Sequence, residues 1–286
     1  MNYRHLYHAG NFADVAKHVV LVELIKALQR KDKPFCYIDT HAGIGRYNLT
    51  STEAQKTREY ENGIEKVLAA SDAPEELQKY LEIVEKVDLK NLDSRLRGNG
   101  VCLQHYPGSP CIARTLLRPH DRMILNELHP DDIKILKQEF KGDQQVAIHE
   151  RDAYEFLNAI LPPQEKRGLI LIDPAYEKID ETEQLLTALQ KALQRFSNGV
   201  YAIWLPIKDI SYSNFYTQLK NQCSAEILIV ELTLSEIPEQ GFGLMGCAMI
   251  IINPPYQIAE ILQPQLEWLW KVWTDGKRGQ VNIFSM

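Results

Sequence analysis

A short apolar run that ends in an acid and a proline constrains this chain more than any other feature. Residues 168–172 read Gly-Leu-Ile-Leu-Ile, and Asp173, Pro174, Ala175 and Tyr176 follow directly. A run of this length, rich in branched apolar side chains and stopped by proline, predicts a strand buried in a parallel sheet. We therefore expect an open α/β sheet in which this strand ends at the ligand-binding edge.

The residues after this strand also suggest a ligand. Asp173 offers a carboxylate, Pro174 a carbonyl oxygen that is fixed in place, and Tyr176 a flat ring. Side by side, these groups suit a flat ligand that carries an amino group, such as a nucleobase with an exocyclic amine. A simpler interpretation fits the stretch alone equally well, because proline often stops a strand and aspartate often caps the following turn.

Composition is that of an ordinary globular protein. Apolar residues make up 45% and charged residues 24%, and no apolar run approaches the roughly 20 residues of a membrane span. The 5 cysteines contain no C-x-x-C pair, which argues against a zinc site and favours a reducing compartment. We therefore expect a soluble, cytoplasmic protein. The net charge of -6 counts against a nucleic-acid partner, although a local basic face is compatible with it.

A second buried strand leads into a turn that is rich in glycine. It runs from Phe35 to Asp39, and Gly43 and Gly45 follow. Glycine lets backbone N–H groups approach a ligand that a Cβ atom would block. The third glycine of a dinucleotide fingerprint is missing, since Asn48 stands in its place. The turn therefore favours an amino-acid-like or nucleoside ligand over a pyrophosphate.

Acidic residues follow two further predicted strands. Glu127 comes directly after residues 123–126, and Asp152 lies beyond the end of residues 146–149. The first carboxylate could accept hydrogen bonds from two neighbouring ribose hydroxyls, and the second could accept one from an adenine amino group. Taken singly, each acid is more often a solvated residue at the end of a strand.

Two predicted helices begin near the same edge. Asn11 is a candidate N-cap, and an acid three positions later completes a partial capping box. The helix that follows carries Lys17 and His18 in its first turns. Ser109 stands at a second predicted N-cap, before Pro110 at the first helical position. A helix start of this kind attracts negative groups.

The segment 48–105 differs in character from the rest of the chain. Residues 51–70 and 73–87 show the spacing of two polar amphipathic helices. We interpret the segment as an all-helical insertion beside the sheet, which serves either as a cap over one edge or as a lid that recognises substrate. Residues 1–47 and 106–286 then form one domain.

The remaining pattern indicates an α/β fold. Four alternating strand–helix units, a fifth strand and a closing antiparallel hairpin predict a mostly parallel, seven-stranded sheet with helices on both faces. The predicted strands are 35–39, 123–126, 146–149, 168–172, 199–206, 225–232 and 246–253.

This order of motifs resembles the class I S-adenosylmethionine-dependent methyltransferases. The Asp-Pro-Ala-Tyr sequence at 173–176 is similar to the Asp-Pro-Pro-Tyr motif of enzymes that methylate adenine N6 or cytosine N4, with Ala175 in place of the second proline. The family resembled most specifically is that of the RlmJ-type 23S ribosomal RNA adenine-N6 methyltransferases. The motifs that carry this resemblance are Tyr3-Arg-His, His8-Ala-Gly-Asn11, Lys17-His18, Asp39-Thr-His41-Ala-Gly43, Tyr106-Pro-Gly-Ser109-Pro and Glu127-Leu-His129-Pro.

The resemblance spans nearly the whole chain and implies a Rossmann-like class I methyltransferase fold. Together with the glycine turn, it implies contacts to S-adenosylmethionine from His18, His41, Gly43, Ser109, Glu127, Asp152, Ala153 and Asp173. Catalysis would fall to Asp173 as the proton acceptor, with Pro174 and with Tyr176 stacked on the base. Contacts to the RNA substrate would come from Tyr3, Arg4, Lys17 and Tyr176.

The reaction so implied is methyl transfer from S-adenosylmethionine to N6 of one adenine in 23S ribosomal RNA. The expected substrate is protein-free or early precursor RNA, and we expect a monomer that needs no metal. Ala175 is expected to loosen the loop after the strand without changing the reaction. The alternatives are a DNA adenine-N6 methyltransferase and a non-catalytic module that binds cofactor and RNA, the latter suggested by Ala175 and the acidic charge.

A second copy of the amine-directed motif occurs near the end of the chain. Residues 253–256 read Asn-Pro-Pro-Tyr. Too little chain follows them to supply the remaining strands of an unpermuted fold, and no glycine turn lies downstream, as a circular permutation would require. We therefore interpret this copy as the end of the last strand.

Overall fold

The computed structural model describes residues 4–89, 103–178, 180–208, 212–235 and 244–286. A short 3₁₀-helix, His5–Tyr7, precedes the first α-helix. The α-helices of the described residues are α1 (Phe12–Gln29), α2 (Thr52–Thr57), α3 (Glu59–Asn62), α4 (Ile64–Ala69), α5 (Glu75–Leu89), α6 (Ser109–Leu116), α7 (Asp132–Glu139), α8 (Ala153–Ile160), α9 (Glu181–Arg195), α10 (Ser213–Gln222) and α11 (Ile258–Thr274). The strands are β1 (Cys36–Asp39), β2 (Arg46–Asn48), β3 (His105–Pro107), β4 (Arg122–Asn126), β5 (Val146–His149), β6 (Gly168–Ile172), β7 (Val200–Ile207), β8 (Ile227–Thr233), β9 (Gly246–Ile252) and β10 (Gln280–Ser285).

The main sheet has the strand order β10-β8-β9-β7-β6-β1-β4-β5. The strands β5, β4, β1, β6 and β7 are parallel, whereas β9 runs antiparallel to both β7 and β8. The predicted Rossmann-like α/β class and the closing hairpin are confirmed. The predicted count of seven strands is wrong by one, because β10 adds an eighth strand antiparallel to β8. This edge strand is only half-buried, so no apolar run marks it in the sequence.

Alternate side chains of the central strands enter two separate cores. Tyr37, Leu169 and Leu171 pack on one face of the sheet, where α1, α6 and α11 lie. Ile38 and Ile170 pack on the other face, against the apolar side chains of α8, α9 and α10. Because both faces are covered, β1 and β6 are buried at every position, which explains why their sequences are continuous apolar runs. None of the helices in the described ranges is both long and apolar enough to cross a membrane.

The register of the parallel strands brings their carboxyl ends to one edge. Asp39, the last residue of β1, is opposite Leu171 of β6 on one side and Leu125 of β4 on the other. Asp173 and Glu127 lie two residues beyond these partners. All three carboxylates therefore emerge at the same edge of the sheet, where open α/β sheets bind their ligands.

Helix α1 is buried along most of its length and begins at that edge. The Asn11 side chain accepts a hydrogen bond from the Asp14 N–H group at 2.9 Å, so the predicted N-cap is confirmed. The Asp14 carboxylate accepts from the Gly10 N–H group at 3.0 Å rather than from Asn11. Both Lys17 and His18 are buried in the first turns of the helix. Burial of polar side chains is unfavourable unless they find partners, and the partners lie in the site described below.

The segment 48–105 is helical where it is described, but its first part is not one helix. The predicted helix over 51–70 is wrong, because the chain forms α2, α3 and α4 instead. It breaks at Arg58, whose φ is 51°, and again at Gly63. A Cβ atom on Gly63 would lie 2.1 Å from the Gly10 carbonyl oxygen, so only glycine allows this approach. The second predicted helix is present as α5.

The two ends of the same segment meet in a small separate sheet. Strands β2 and β3 pair antiparallel there, with Tyr47 opposite Tyr106. A helical segment that leaves and re-enters the domain through one strand pair has the form of an insertion. We therefore propose 48–105 as an insertion into one domain formed by 1–47 and 106–286.

The Asn-Pro-Pro-Tyr sequence at 253–256 lies at the opposite edge of the sheet from the Asp-Pro-Ala-Tyr sequence. Ile252 at the end of β9 is paired with Tyr201 near the start of β7. The Asn253 side chain donates to the carbonyl oxygens of Ser197 and Gly199 at 2.8 and 2.7 Å. Tyr256 is 80% exposed. The interpretation of this sequence as a strand end is confirmed, but β9 is not the last strand, because β10 follows it.

Substitutions in this sequence should change stability according to these contacts. We expect Tyr256→Ala to change the free energy of unfolding by less than about 0.5 kcal/mol, since the ring is exposed. Asn253 has a φ of 56°. Asn253→Ala should cost about 2 kcal/mol, because two hydrogen bonds are lost and alanine tolerates a positive φ poorly. Urea denaturation of both variants checks this order. A larger loss in Tyr256→Ala than in Asn253→Ala would contradict it.

Candidate active site

A cleft of about 710 Å³ opens at the carboxyl-terminal edge of the parallel strands. Of the residues predicted from the sequence, those that line it are Lys17, His18, His41, Gly43, Ser109, Glu127, Asp152, Ala153, Asp173 and Pro174. Arg4 and Tyr176 are described but are not among its lining residues. Tyr3 lies outside the described residues. Ten of the twelve predicted site residues that the structure describes therefore line the cleft, although the predicted role of each residue stays a prediction.

Asp173 is held at the edge of the cleft by a buried cation. Lys17 Nζ lies 2.6 Å from Asp173 Oδ2 and 2.8 Å from Asp14 Oδ1. His5 Nε2 lies 2.7 Å from the other Asp14 oxygen. Four side chains from the N-terminal segment, α1 and the end of β6 thus form one chain of charged contacts. The sequence placed Lys17 on the substrate side and gave Asp14 only a role in the partial capping box with Asn11, not in this chain of contacts.

The electrostatics of this chain follow from burial and proximity. The Lys17 side chain is 6% exposed and that of Asp14 is 2% exposed. Burial alone would lower the pKa of Lys17, but Asp14 and Asp173 hold it well above its usual range. Burial alone would raise the pKa of Asp14, but His5 and Lys17 hold it well below its usual range. Lys17 is therefore a fixed positive charge next to the Asp173 carboxylate.

Not all residues of the loop after β6 line the cleft. Pro174 and Ala175 line the cleft beside Asp173. Tyr176 has a φ of 51°, which is uncommon for a side chain of this size. Its hydroxyl donates to the Trp204 carbonyl oxygen at 2.7 Å. The ring centroids of Tyr176 and Trp204 are 6.1 Å apart, and the two ring planes are inclined at 49°. The stacking of Tyr176 on a base stays a prediction.

Glu127 fixes the glycine turn. Its carboxylate accepts from the Gly43 N–H group at 2.8 Å and from the His129 N–H group at 2.8 Å. Burial raises the pKa of Glu127 although these backbone hydrogen bonds oppose the shift. A Cβ atom on Gly43 would lie 2.3 Å from the Tyr47 hydroxyl oxygen. The Gly43 N–H group is thus used inside the protein, whereas the sequence argument had expected N–H groups of this turn to face the ligand.

Ser109 does not cap its helix. The N-cap of α6 is Gly108, and Ser109 is the first helical residue, so the predicted N-cap at Ser109 is wrong. Its hydroxyl donates instead to Asp39 Oδ2 at 2.7 Å, as does the Tyr37 hydroxyl at the same distance. Burial raises the pKa of Asp39 to about 6, against the hydrogen bonds from Ser109, Tyr37 and the His41 N–H group. The Ser109 hydroxyl bonds to the Asp39 carboxylate rather than to the helix end, because that carboxylate is fully buried and needs hydrogen-bond donors.

Asp152, Ala153 and His41 form the wall beside Glu127. Asp152 is the N-cap of α8, and one of its oxygens accepts from the N–H groups of Tyr154 and Glu155 at 2.9 and 3.1 Å. His41 Nδ1 lies 2.8 Å from the Thr40 hydroxyl. Burial lowers the pKa of His41, so the ring is neutral near pH 7.

His18 has one ring nitrogen that no described residue contacts through a hydrogen bond. Its Nδ1 atom lies 2.8 Å from the Tyr106 hydroxyl, whereas the buried Nε2 atom has no hydrogen-bond partner among the described residues. The residue is 1% exposed and lines the cleft. Burial and the adjacent Lys17 lower the pKa of His18 well below its usual range. A neutral ring in the lining of a cleft is suited to a polar group of a ligand.

His8 and Glu59 link the N-terminal segment to the insertion at the other side of the cleft. His8 Nδ1 lies 2.8 Å from one Glu59 oxygen, and the Asn11 amide donates to the other at 3.0 Å. The hydrogen bond to Glu59 outweighs burial and raises the pKa of His8. Sequence analysis gave no signal for Glu59, because only the fold brings it to the N-terminal segment.

This contact predicts that docking of the N-terminal segment depends on pH. The folded pKa of His8 is raised above 6.5, so its contribution is complete below pH 6.5 and is lost as the pH rises through the raised value. We expect amide exchange in residues 4–10, corrected for the intrinsic rate, to accelerate as the pH rises above 6.5 and through the raised pKa of His8. Glu59→Gln should remove this dependence. Equal acceleration in the variant would contradict the prediction.

The chemistry of the site comes from charged and polar side chains. Among the described residues, no three or more His, Cys, Asp or Glu side chains are grouped so that they could hold a metal ion. The four cysteines of the described residues, Cys36, Cys111, Cys223 and Cys247, are buried and form no disulfide with one another. The arrangement offers a carboxylate next to a cation at one end of the cleft and further acids near the glycine turn at the other. It can therefore bind a polar ligand and accept a proton.

Known proteins match this chain over nearly its whole length. It is 39% identical to the ribosomal RNA large subunit methyltransferase J of Escherichia coli (strain K12), over 99% of this chain and 98% of that protein. It is 38% identical to the protein of the same name from Haemophilus influenzae (strain ATCC 51907 / DSM 11121 / KW20 / Rd), over 95% and 93%. A crystal structure of a protein from Legionella pneumophila str. Philadelphia 1 superposes with a TM-score of 0.84 and 35% identity, covering 97% of this chain and 98% of that one.

A sequence model of one family matches residues 32–283. This match includes the glycine turn, the insertion and the Asp-Pro-Ala-Tyr sequence. Together with the relatives above, it shows that the chain belongs to the family described as ribosomal RNA large subunit methyltransferase D, RlmJ.

Proposed function

We propose that this protein transfers a methyl group from S-adenosylmethionine to the exocyclic N6 of an adenine in 23S ribosomal RNA. One observation carries the proposal. The carboxylate of Asp173 lies at the tip of a central strand, beside Pro174 in a cleft, with a buried ammonium group 2.6 Å away. Family membership supports ribosomal RNA as the substrate class.

The residues of the cleft fit S-adenosylmethionine. The neutral ring of His18, whose Nε2 atom has no hydrogen-bond partner among the described residues, suits a polar group of the amino-acid part, and the neutral ring of His41 lies in the same cleft. Glu127 and Asp152 suit the hydroxyl and amino groups of the adenosine part, because carboxylate oxygens accept several hydrogen bonds. Ser109, Gly43 and Ala153 complete the lining at these positions. When bound, S-adenosylmethionine supplies an electrophilic methyl group.

Asp173 and Pro174 would orient the amine of the target base. An aromatic amine is a weak nucleophile because its lone pair is delocalised into the ring. Hydrogen bonds from its two N–H groups to the Asp173 carboxylate and the Pro174 carbonyl favour a pyramidal nitrogen with an available lone pair. This is a contribution of orientation and electrostatics.

Asp173 would also take the proton that the amine must lose. The N–H group becomes acidic when the nitrogen gains positive charge, and a carboxylate within hydrogen-bond reach can then act as general base. Lys17 holds the carboxylate in place through its contact with Oδ2. No hydrogen bond to Oδ1 comes from the described part of the chain, so this oxygen can accept from the amine. In this mechanism Lys17 positions the acceptor, and its predicted contact with RNA would be an additional role.

Methyl transfer to defined nucleic acids tests the proposal. Protein-free 23S ribosomal RNA that lacks the modification, assembled large subunits and adenine-containing DNA are each incubated with labelled S-adenosylmethionine. We expect label in the protein-free RNA, recovered as N6-methyladenosine at one position after digestion and mapping. Label in DNA alone would favour a DNA methyltransferase. Binding of cofactor and RNA without transfer to any substrate would favour a non-catalytic module.

A further inference from the structure

The cleft itself is a poor place to bind the backbone of a polyanion. Its lining contains three lysines and eight acids. Of these lysines, Lys17 is already paired with Asp14 and Asp173. The described part of the helical insertion, residues 51–89, carries five Lys and Arg residues against ten acids. Because RNA binding depends largely on contacts between cations and phosphates, an enzyme that acts on RNA needs a basic surface elsewhere.

Such a surface lies at the opposite edge of the sheet, where the parallel strands begin. It consists of residues 30–33, 118–122 and 164–167, which we call the basic face. These segments carry seven Lys and Arg residues against three acids, a net charge of +4 in a chain whose net charge is -6. The strand register places them together, because the start of β1 is paired with the starts of β4 and β6. Positive charge is therefore concentrated at the edge away from the cleft.

Two arginines hold the basic face together. Arg118 and Arg167 both donate to the Lys33 carbonyl oxygen, at 3.0 and 2.5 Å. Burial and the neighbouring charge of Arg118 lower the pKa of Arg167, as expected for two like charges that are held close to each other. A phosphate group beside the two guanidinium groups relieves the repulsion between them.

The three acids of the basic face are already paired, whereas its lysines are not. Each acid lies 2.9 to 3.6 Å from the guanidinium of Arg118 or Arg122. The side chains of Lys31, Lys33 and Lys166 are exposed, and their ammonium groups form no ion pair or hydrogen bond within the described part of the chain. These three lysines are therefore free to contact phosphate groups.

An exposed aromatic ring extends the basic face along the same edge. The Arg30 guanidinium donates to the Tyr256 carbonyl oxygen at 3.0 Å, and Tyr256 is 80% exposed. The strand order β9-β7-β6-β1-β4 separates Tyr256 from Arg122 by roughly 20 Å, since neighbouring strands lie roughly 4.8 Å apart. An exposed ring beside a row of cations is typical of surfaces that bind single-stranded nucleic acid, where a base stacks on the ring and the cations contact the backbone.

Some of these cations also have a structural role at the end of α1. Arg167 donates to the Leu28 carbonyl oxygen at 2.8 Å, and Arg118 donates to that of Lys31 at 3.2 Å. Cations are favourable near the C-terminus of a helix, so this role accounts for the two arginines. It accounts neither for the three lysines, whose ammonium groups contact no carbonyl oxygen of the described residues, nor for the exposed ring of Tyr256.

We infer that the basic face and Tyr256 form a second RNA-binding surface, in which Lys31, Lys33 and Lys166 contact phosphate groups and Tyr256 stacks on an unpaired base. The inference rests on the proposed function, because it takes RNA as the substrate. Strand β1 has four residues and spans roughly 13 Å, so RNA that flanks the target adenine has at least this distance to cover. The surface adds affinity for RNA and takes no part in the chemical step.

Two variants test this surface with protein-free 23S ribosomal RNA. The first combines Lys31→Gln, Lys33→Gln and Lys166→Gln. Its RNA dissociation constant should rise roughly tenfold or more near physiological salt, and the slope of log affinity against log salt should become shallower by roughly 2, because three phosphate contacts are lost. The second, Tyr256→Ala, should bind RNA roughly fivefold more weakly without a change in slope, because the ring carries no charge. Tyr256→Phe keeps a ring and should bind as the wild type does.

A variant that combines Lys66→Gln, Lys79→Gln and Lys86→Gln is the matched control. It removes the same charge from exposed positions of the helical insertion and should leave the affinity for RNA unchanged. By calorimetry, every variant should bind S-adenosylhomocysteine as the wild type does. Single-turnover rates with saturating RNA and cofactor should also equal that of the wild type, because the basic face lies away from the cleft.

The readouts separate this inference from the function on which it rests. If the wild type methylates RNA and the basic-face variant binds RNA no more weakly than the control, only the inference fails, and an acidic protein partner becomes the alternative occupant. If the wild type binds RNA through the basic face but transfers no methyl group, the surface stands and the proposed reaction fails. If it neither binds nor methylates RNA, both fail. A shallower salt slope in the basic-face variant alone supports the surface.

Discussion

Replacing Asp173 by asparagine is expected to reduce the methyl-transfer rate by roughly 100- to 10,000-fold, the range that general-base catalysis contributes. The amide keeps the size of the side chain and one acceptor oxygen, but it cannot take up a proton at neutral pH. The fold should persist, because Lys17 retains its contact with Asp14 at 2.8 Å. Single-turnover rates with saturating cofactor and RNA measure the effect on the chemical step.

Asp131→Asn is a suitable control for this variant. Asp131 also follows a strand of the parallel sheet, but its side chain is 63% exposed and forms an ion pair with Lys134 at 3.1 Å. Its substitution should leave the rate within experimental error of the wild type. If Asp173→Asn turned over as rapidly as this control, the Asp173 carboxylate would not be the proton acceptor.

Replacing Lys17 by methionine is expected to destabilise the protein by about 3–5 kcal/mol, the cost of removing one partner from a buried ion pair. Lys17 is 5% exposed and contacts two carboxylates, so its loss leaves Asp14 without a main counter-charge and Asp173 without its anchor. The variant that remains folded should also lose roughly 100-fold in rate, because small displacements of a catalytic group have effects of this size.

Lys79→Met provides the matched control for stability. Lys79 forms an ion pair with Glu82 at 3.1 Å on α5, but the two side chains are 48% and 63% exposed. Exposed pairs contribute about 0–1 kcal/mol, so this substitution should have little effect. Urea denaturation of both variants measures the difference. An equal loss of stability in the two would show that the contacts of Lys17 with Asp14 and Asp173 carry no special weight.

The central sheet could be predicted because its strands obey a simple rule. Strands covered on both faces need apolar side chains at every position, so β1 and β6 appear in the sequence as uninterrupted runs that end in a polar residue. The half-buried edge strand β10 follows no such rule and was missed. The break between α2 and α3 was also missed, because it depends on the positive φ of Arg58 rather than on a glycine or proline.

The candidate site was predictable to the extent that it depends on strand ends. Asp173 and Glu127 follow apolar runs, and parallel strands bring such ends together, so their common location follows from the pattern. The contact of Lys17 with Asp173 joins residues 156 positions apart, and nothing local in the sequence indicates it. The N-cap predicted at Ser109 was wrong because the acceptor that its hydroxyl uses, Asp39, lies 70 positions away in the sequence.

The most direct test of the account is a crystal structure of the protein with a bisubstrate analogue, in which N6 of an adenosine is tethered to the adenosine and amino-acid parts of the cofactor. The account predicts that this nitrogen lies within hydrogen-bond distance of the Asp173 carboxylate and the Pro174 carbonyl oxygen, with Lys17 still in contact with Asp173. An analogue bound with N6 away from Asp173, or bound beside Asn253 at the opposite edge of the sheet, would contradict it.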